Sequence, residues 1–518
     1  MSADKSNSGR QLLKTTGTVG SWTLVSRVLG FARDILIARV LGAGLLADAF
    51  FVAFKLPNFF RRLLAEGTLT VALVPVLAEE RKKDEVAAHD FLDALAGLLL
   101  ATLLLLTLLG MAGMPVLLLV FAPGFHDEPD RWAATLHLAR WMFPYLAMIT
   151  LAAMSWAVLN TYRRFAVAAA SPALLNIALI FAAIVLAPNM ENPAMALTLG
   201  VLLGGTLQLA IQFPALRRIG WTPRPRFRPT MAPVVRTLKL FGPAVTGVAA
   251  VQINILVGTI LATLLPIGAV SYLYYSDRIV QLPLGLFGIA MSTALLPSLS
   301  GHVAAGRQTD ALHELRQGLA WLTWITLPAT VGILLLAGPI ITTLFEQGRF
   351  TATAAAATAH ALQAYGVGLM SFCWVRVLST ACYAHQDSKT PMRYAAASVA
   401  ANILLAMILM WPLGYLGLAL ATSLASWLNA ALLIRHLRKT HGTLFDAITA
   451  KRMLQALFAS MLMLILLLVL LYAWPFPAGG GKGMQALWLS IAVGGGILTF
   501  LAAARLCGER LQQLRRGR

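Results

Sequence analysis

Charged side chains are scarce in this 518-residue chain: Asp, Glu, Lys and Arg together make up 12% of it, against roughly 25% in an average soluble protein. A water-facing surface cannot be built at that density, so a soluble enzyme is excluded, and so is a disordered chain. Cysteine is scarce too, with three residues, which excludes a disulfide-stapled secreted domain. Cys373, Cys382 and Cys507 stand in or beside apolar stretches without metal-type spacing and read as small buried apolar residues. Acids are fewer than bases, 21 against 41, which leaves a formal net charge of +20. The polar first 16 residues lead into an apolar segment without an A-x-A-like site, so no cleavable signal is expected.

What the chain has in abundance is apolar sequence: 58% hydrophobic residues and a mean hydropathy of +0.75. Apolar runs of about 20 residues, the length that crosses a bilayer, recur from end to end. Charged and Pro/Gly breaks divide them into about 14 spans, near 19–41, 46–77, 91–121, 132–159, 165–187, 194–216, 240–264, 267–299, 318–343, 355–384, 394–411, 414–434, 453–474 and 485–505. The expected fold is therefore an all-α polytopic membrane protein of about 14 transmembrane helices. An even count places both termini on one side.

The basic residues, sorted along these spans, set the orientation. With both termini cytoplasmic, about 29 Lys and Arg fall in inside segments and only Arg131, Arg349 and Lys482 in outside loops. That asymmetry accounts for most of the basicity, and nucleic acid is not needed to explain it. A remainder stays within the spans: Arg27, Arg33, Arg39, Lys55, Arg61, Arg62, Arg140, Arg278 and Arg376, accompanied by the acids Asp34, Asp48, Glu66 and Asp277. Arg39, Asp48 and Arg140 are near enough to span ends to reach an interface by snorkelling.

An internal repeat divides the chain. Thr70-Val-Ala-Leu-Val-Pro75 resembles Ser292-Thr-Ala-Leu-Leu-Pro297, and Ala168-Ala-Ala-Ser171 recurs as Ala395-Ala-Ala-Ser398, at offsets of about 222 and 227 residues. Together the matches pair span 2 with span 8 and span 5 with span 11. Six spans per repeat keep one orientation, so two six-helix lobes related by a pseudo-two-fold along the membrane normal are expected, with a substrate site near the midplane between them. The boundaries are an N-terminal lobe 1–218, a basic cytoplasmic linker 219–239 and a C-terminal lobe 240–440. Spans 13 and 14 with a basic tail, 441–518, form an appendix.

An Arg near a helix centre costs roughly 2.5–3.5 kcal/mol on insertion scales, so a cluster needs a reason. In span 1, Ser26-Arg27-Val-Leu-Gly30-Phe-Ala-Arg33-Asp34, helical geometry puts Arg27 and Asp34 on one face and Arg33 on another. A kink at Gly30 would turn both arginines toward one cavity. Span 2 carries Asp48, Lys55, Arg61, Arg62 and Glu66, with Pro57 as a kink and Arg62 and Glu66 as an i,i+4 pair. Pro283, Gly285 and Gly288 offer a bend in the helix that carries Arg278. The acids are too few to neutralise the bases, and an unpaired guanidinium is costly in hydrocarbon. A water-filled cavity for an anion resolves this, since the planar guanidinium fork suits phosphate or carboxylate. The residues themselves thus point to a transporter of an anionic, phosphate-bearing substrate, with a lipid-linked one left open.

The stretches Ser26–Asp34, Asp48–Asn58, Arg61-Arg62, Ala65-Glu66-Gly67, Tyr274-Tyr275-Ser276-Asp277-Arg278, Leu295–Leu299 and Gln386–Pro391 resemble the MurJ (MviN) family over essentially the whole chain. The resemblance implies a flippase for lipid II, the undecaprenyl-pyrophosphate-linked precursor of peptidoglycan, in the bacterial inner membrane. It also implies the multidrug/oligosaccharidyl-lipid/polysaccharide exporter fold, alternating access, a lateral groove near spans 13 and 14, and contact with bilayer lipids and cell-wall synthesis proteins. By motif, the family's substrate arginines fall on Arg27, Arg33, Arg61 and Arg278, and further functional acids on Asp34, Asp48 and Glu66. Arg62 and Asp277 are supporting charges beside them, and Gly30, Pro57 and Pro283 are the hinge candidates. Some relatives have a proposed sodium site with an acid on span 7; here Gln252, Asn254, Thr259 and Thr263 stand in that region without an acid. Sodium, a proton and membrane potential are left open as the driving force, and no cofactor is expected.

Three other classes fit less well. A cation-coupled drug exporter calls for an acidic cavity. An intramembrane enzyme calls for a base or nucleophile constellation, yet the nine His are scattered and Gly479-Gly-Gly-Lys482-Gly483 lacks phosphate-loop spacing. A scaffold would leave the basic residues in the spans unexplained.

Overall fold

A computed structural model describes residues 2–65 and 67–506; Glu66, Cys507 and the basic tail lie outside the described residues. All regular structure among the described residues is helical. The chain packs as two compact units, Met1–Val270 and Ser271–Arg518.

The first unit contains α1 (Ser2–Leu41), α2 (Leu45–Leu64), α3 (Thr68–Lys83), α4 (Glu85–Ala112), α5 (Met114–Phe121), α6 (Pro129–Met142), α7 (Tyr145–Thr161), α8 (Phe165–Phe181), α9 (Pro193–Ala210), α10 (Gln212–Arg217) and α11 (Ala232–Thr263). Their starts are chemically marked: Asp84 accepts from the Ala87 N–H at the head of α4, and Asn192 accepts from Ala194 and Met195 at the head of α9. The expected second span is two helices, because the chain turns at Gly67, whose φ of 86° favours glycine. Leu73, Leu77, Phe91, Leu95 and Trp221 form a buried core against α7. Leu104, Leu105, Leu108 and Leu109 of α4 point outward, as a lipid-facing surface requires.

The second unit contains most of α12 (Ala269–Pro283), then α13 (Ala290–Ala304), α14 (Gln308–Phe345), α15 (Ala352–Gly366), α16 (Leu369–Ala384), α17 (Lys389–Leu413), α18 (Tyr415–His441), α19 (Ala447–Ala473) and α20 (Lys482–Leu506). A π-helical stretch, Leu284–Ile289, separates α12 from α13 directly after Pro283. Trp488 of α20 is fully buried beside Leu467 of α19 and Leu336 of α14.

Among the described residues, 11 helices are long and apolar enough to cross a membrane, fewer than the 14 expected. The stretches that fall short are α1, the α2–α3 pair and α11, which contributes only the shorter apolar helix Gln252–Thr263. In α1 and α2 the reason is charge: these are the helices that carry Arg27, Arg33, Lys55, Arg61 and Arg62. The division at Val270 also differs from the boundaries drawn on the repeat, because α11 packs on α3 and α2 within the first unit. Ser171 of α8 accepts a hydrogen bond at its carbonyl from Gln208 of α9, and Ser398 of α17 donates one to the Ala425 carbonyl of α18.

Candidate functional site

Arg33 is held from two sides. Its Nε and Nη2 donate to Asp34 Oδ1 at 3.0 and 2.7 Å, and its Nη1 donates to Asn176 Oδ1 at 2.9 Å. Arg33 is 9% exposed and Asp34 3%. Asn176 lies on α8, which packs along α1, and its Nδ2 donates to the Ser26 carbonyl at 2.9 Å. One amide therefore joins two positions of α1 two turns apart. Gly30 lies between them, 3.5 Å from the Asn176 amide if given a Cβ. α1 runs unbroken through Gly30, and Arg33 is aimed by its partners Asp34 and Asn176. Arg27 is exposed on the same helix.

Asp48 departs from the expected snorkelling position. It is fully buried in the first turn of α2, where it accepts from Arg131 Nη2 at 2.6 Å and from the Gly268 N–H at 2.7 Å. Arg131, expected in an outside loop, is likewise fully buried, in α6. Its Nη1 donates to the Leu265 carbonyl at 3.3 Å, and its guanidinium lies 3.8 Å from the centre of the Phe125 ring. The pair joins α2, α6 and the turn after α11. Charge counting assigned Arg131 to a loop because the expected span begins at 132; α6 begins at Pro129 and carries it inward.

On α2, Lys55 Nζ donates to Thr259 Oγ1 of α11 at 3.2 Å. Pro57 is buried within the helix and removes one backbone donor. The next residue, Asn58, donates from Nδ2 to the Phe54 carbonyl at 2.7 Å and accepts from Arg61 Nε at 3.1 Å. Asn58 therefore orients Arg61 much as Asn176 orients Arg33. Arg62 is half-buried beside it. Its expected partner, Glu66, lies outside the described residues.

In the second unit, the Arg278 guanidinium lies over the Tyr274 ring, 4.6 Å from its centre, and faces Gln281 Oε1 at 3.5 Å. Gln281 in turn donates to Asp277. Pro283 ends α12 at the π-helical stretch, where the backbone departs from α geometry. Gln252, Thr259 and Thr263 of α11 are buried, and Asn254 is half-buried. Cys373 and Cys382 are buried free thiols. Among the described residues no group of three or more His, Cys, Asp or Glu side chains is placed to hold a metal ion.

Sequence reasoning singled out the arginines but missed the amides that aim them. Asn176 and Asn58 carry no charge signal, although a lone Asn in an apolar helix was a readable cue.

Comparison with known proteins shows the family of the chain. The family described as lipid II flippase MurJ matches residues 37–479. A probable lipid II flippase MurJ of Vibrio cholerae is 37% identical over 514 residues, covering 98% of both chains. A lipid II flippase MurJ of Burkholderia cenocepacia is 36% identical over 438 residues, covering 83% of this chain and 84% of its own. Among solved structures, a lipid II flippase MurJ in an inward closed conformation superposes with a TM-score of 0.79 at 27% identity, over 94% of this chain and 98% of its own. An inward-facing multidrug resistance transporter of the MATE family and MOP superfamily superposes at 0.63 with 15% identity, over 82% and 98%, which speaks to the fold alone.

Proposed function

The chain belongs to the MurJ lipid II flippase family, and from that membership and its arginines we propose that it moves lipid II from the cytoplasmic to the outer leaflet of the inner membrane by alternating access. It is a multi-pass membrane transporter and not a catalytic enzyme.

In this reading Arg27, Arg33, Arg61 and Arg278 bind the pyrophosphate in a basic cavity. Asp34, Asp48, Arg62, Glu66 and Asp277 are the supporting charges, and Gly30, Pro57 and Pro283 are the places where helices adjust. Both termini are cytoplasmic, and fourteen spans form the two six-helix lobes and the C-terminal pair. The observation that carries the reading is Arg33: a guanidinium buried in an apolar bundle, its plane fixed by hydrogen bonds to Asp34 and Asn176. Preorganised donors bind an anion without first losing side-chain freedom, and a guanidinium can meet two phosphate oxygens at once. Asp34 keeps the buried charge tolerable while substrate is absent.

The test is to deplete the protein in cells and measure which leaflet holds lipid II. Accumulation on the cytoplasmic side is expected. Undiminished arrival at the outer leaflet would reject the assignment.

A further inference from the structure

The segment that joins α10 to α11 is strapped onto α4. Asp93 Oδ1 accepts from Trp221 Nε1 at 2.9 Å and from the Arg224 N–H at 3.0 Å, while its carbonyl accepts from the Arg226 N–H at 2.9 Å. Gly97, one turn further along α4, leaves the room in which the Arg226 backbone lies; a Cβ there would be 2.3 Å from the Arg226 carbonyl oxygen. Asp90 accepts from the guanidinium groups of both Arg226 and Arg228, each at 3.0 Å. Pro223, Pro225 and Pro229 hold φ near one value along the strap.

These contacts fix the depth of the arginines. Asp90 and Asp93 belong to the polar start of α4, and from Gly97 onward the helix reads Leu98-Leu99-Leu100 and continues to the outward Leu104, Leu105, Leu108 and Leu109. The Arg226 backbone thus lies level with the change from polar to apolar surface. There Phe227, between two arginines, is 64% exposed. Arg224, Arg226 and Arg228 are all exposed, with Asp90 the acid that pairs with two of them, and Arg217 and Arg218 add exposed positive charge just before the strap.

We propose that Arg224-Pro225-Arg226-Phe227-Arg228 is a binding surface for anionic phospholipid headgroups of the leaflet it faces, with the Phe227 ring entering the boundary between headgroups and acyl chains. Guanidinium groups match the phosphodiester, and aromatic rings are enriched at that boundary. An excess of positive charge next to a membrane span selects anionic over zwitterionic lipid. An exposed aromatic ring where the apolar surface begins fits a lipid better than it fits a soluble anion. The surface anchors the first unit to its leaflet, and it stands independently of the flippase reading.

The test is native mass spectrometry of the full-length protein in detergent, titrated with phosphatidylglycerol or with phosphatidylcholine of the same chains. The triple variant R224Q/R226Q/R228Q should bind phosphatidylglycerol about five- to a hundredfold more weakly, since each surface arginine contributes up to roughly fivefold and Arg226 and Arg228 share Asp90, with phosphatidylcholine unchanged. Phe227→Ala should weaken both lipids alike. Asp90→Asn, which leaves the Asp93 docking intact and removes a countercharge, should tighten phosphatidylglycerol. Equal phosphatidylglycerol binding by the wild type and the triple variant would overturn the proposal. Displacement of the bound lipid by millimolar inorganic phosphate would also overturn it, by making this a site for soluble anions. Should the triple variant fail to fold, Asp90→Asn decides, and unchanged or weaker phosphatidylglycerol binding in it overturns the proposal.

Discussion

Two asparagines and one buried ion pair set the chemistry at the residue scale. Asn176 hydrogen-bonds Arg33 and the Ser26 carbonyl, and a hydrogen bond to a charged group is worth about 1.5–3 kcal/mol. Asn176→Ala should therefore lower transport roughly ten- to hundredfold at unchanged membrane levels, read as complementation of a depleted strain. Asp48 and Arg131 are both fully buried. Arg131→Ala removes the buried countercharge of Asp48 and should cost up to about 3–5 kcal/mol, seen as a lowered midpoint in thermal unfolding of the purified protein. The double variant D48N/R131Q, which removes both charges, should lose less. At this scale the sequence was legible where residues carry charge: Arg33 and Asp34 stand out in any apolar run. The partner across the fold was not legible, because Asn176 is 143 positions away from Arg33 and Arg131 looks like an ordinary loop base until α6 turns it inward.

Helices and their joints behave as the sequence implies, with instructive differences. Spans were legible because apolar length is a local property, whereas breaks within spans depend on a single backbone angle, as at Gly67. The Asn176 side chain packs beside Gly30 where α1 runs unbroken, while Pro283 is followed directly by a π-helical stretch. The strap on α4 was legible as a basic linker but its docking was not, since Gly97 reads like any small residue in an apolar helix. Gly97→Ala should displace the Arg226 backbone and speed tryptic cleavage after Arg226, the one of the three strap arginines not followed by proline, without breaking the bundle. At the start of α19, Asp446 accepts from the Thr449 N–H at 2.8 Å and pairs with Arg316 of α14 at 3.1 Å. The bonds from Thr449, aided by the nearby Arg316 charge, hold its carboxyl below the usual value. A depressed folded pKa gives stability that is present above the unfolded value and lost as pH falls through the folded one. Thermal stability of the wild type should thus drop across the acid range below the ordinary Asp pKa, and Asp446→Asn should remove part of that slope.

For the whole molecule, two facts converge. Charge is scarce, and much of what lies within the expected spans is basic and concentrated in α1 and α2, the helices least like ordinary membrane spans. In the proposed reading that concentration serves the substrate, since a phosphate-bearing lipid needs fixed positive charge where lipid tails alone would forbid it. The division of the packed chain at Val270 was not legible, because α11 joins the first unit through contacts such as Lys55 with Thr259 that no local pattern records. In the proposed reading Arg27, Arg33, Arg61 and Arg278 bind the pyrophosphate. The measurement that tests it most directly is the leaflet distribution of lipid II in cells whose sole copy carries R27A, R33A, R61A and R278A, at membrane levels equal to wild type. The account predicts lipid II retained in the cytoplasmic leaflet and failure to grow; normal delivery to the outer leaflet would contradict it.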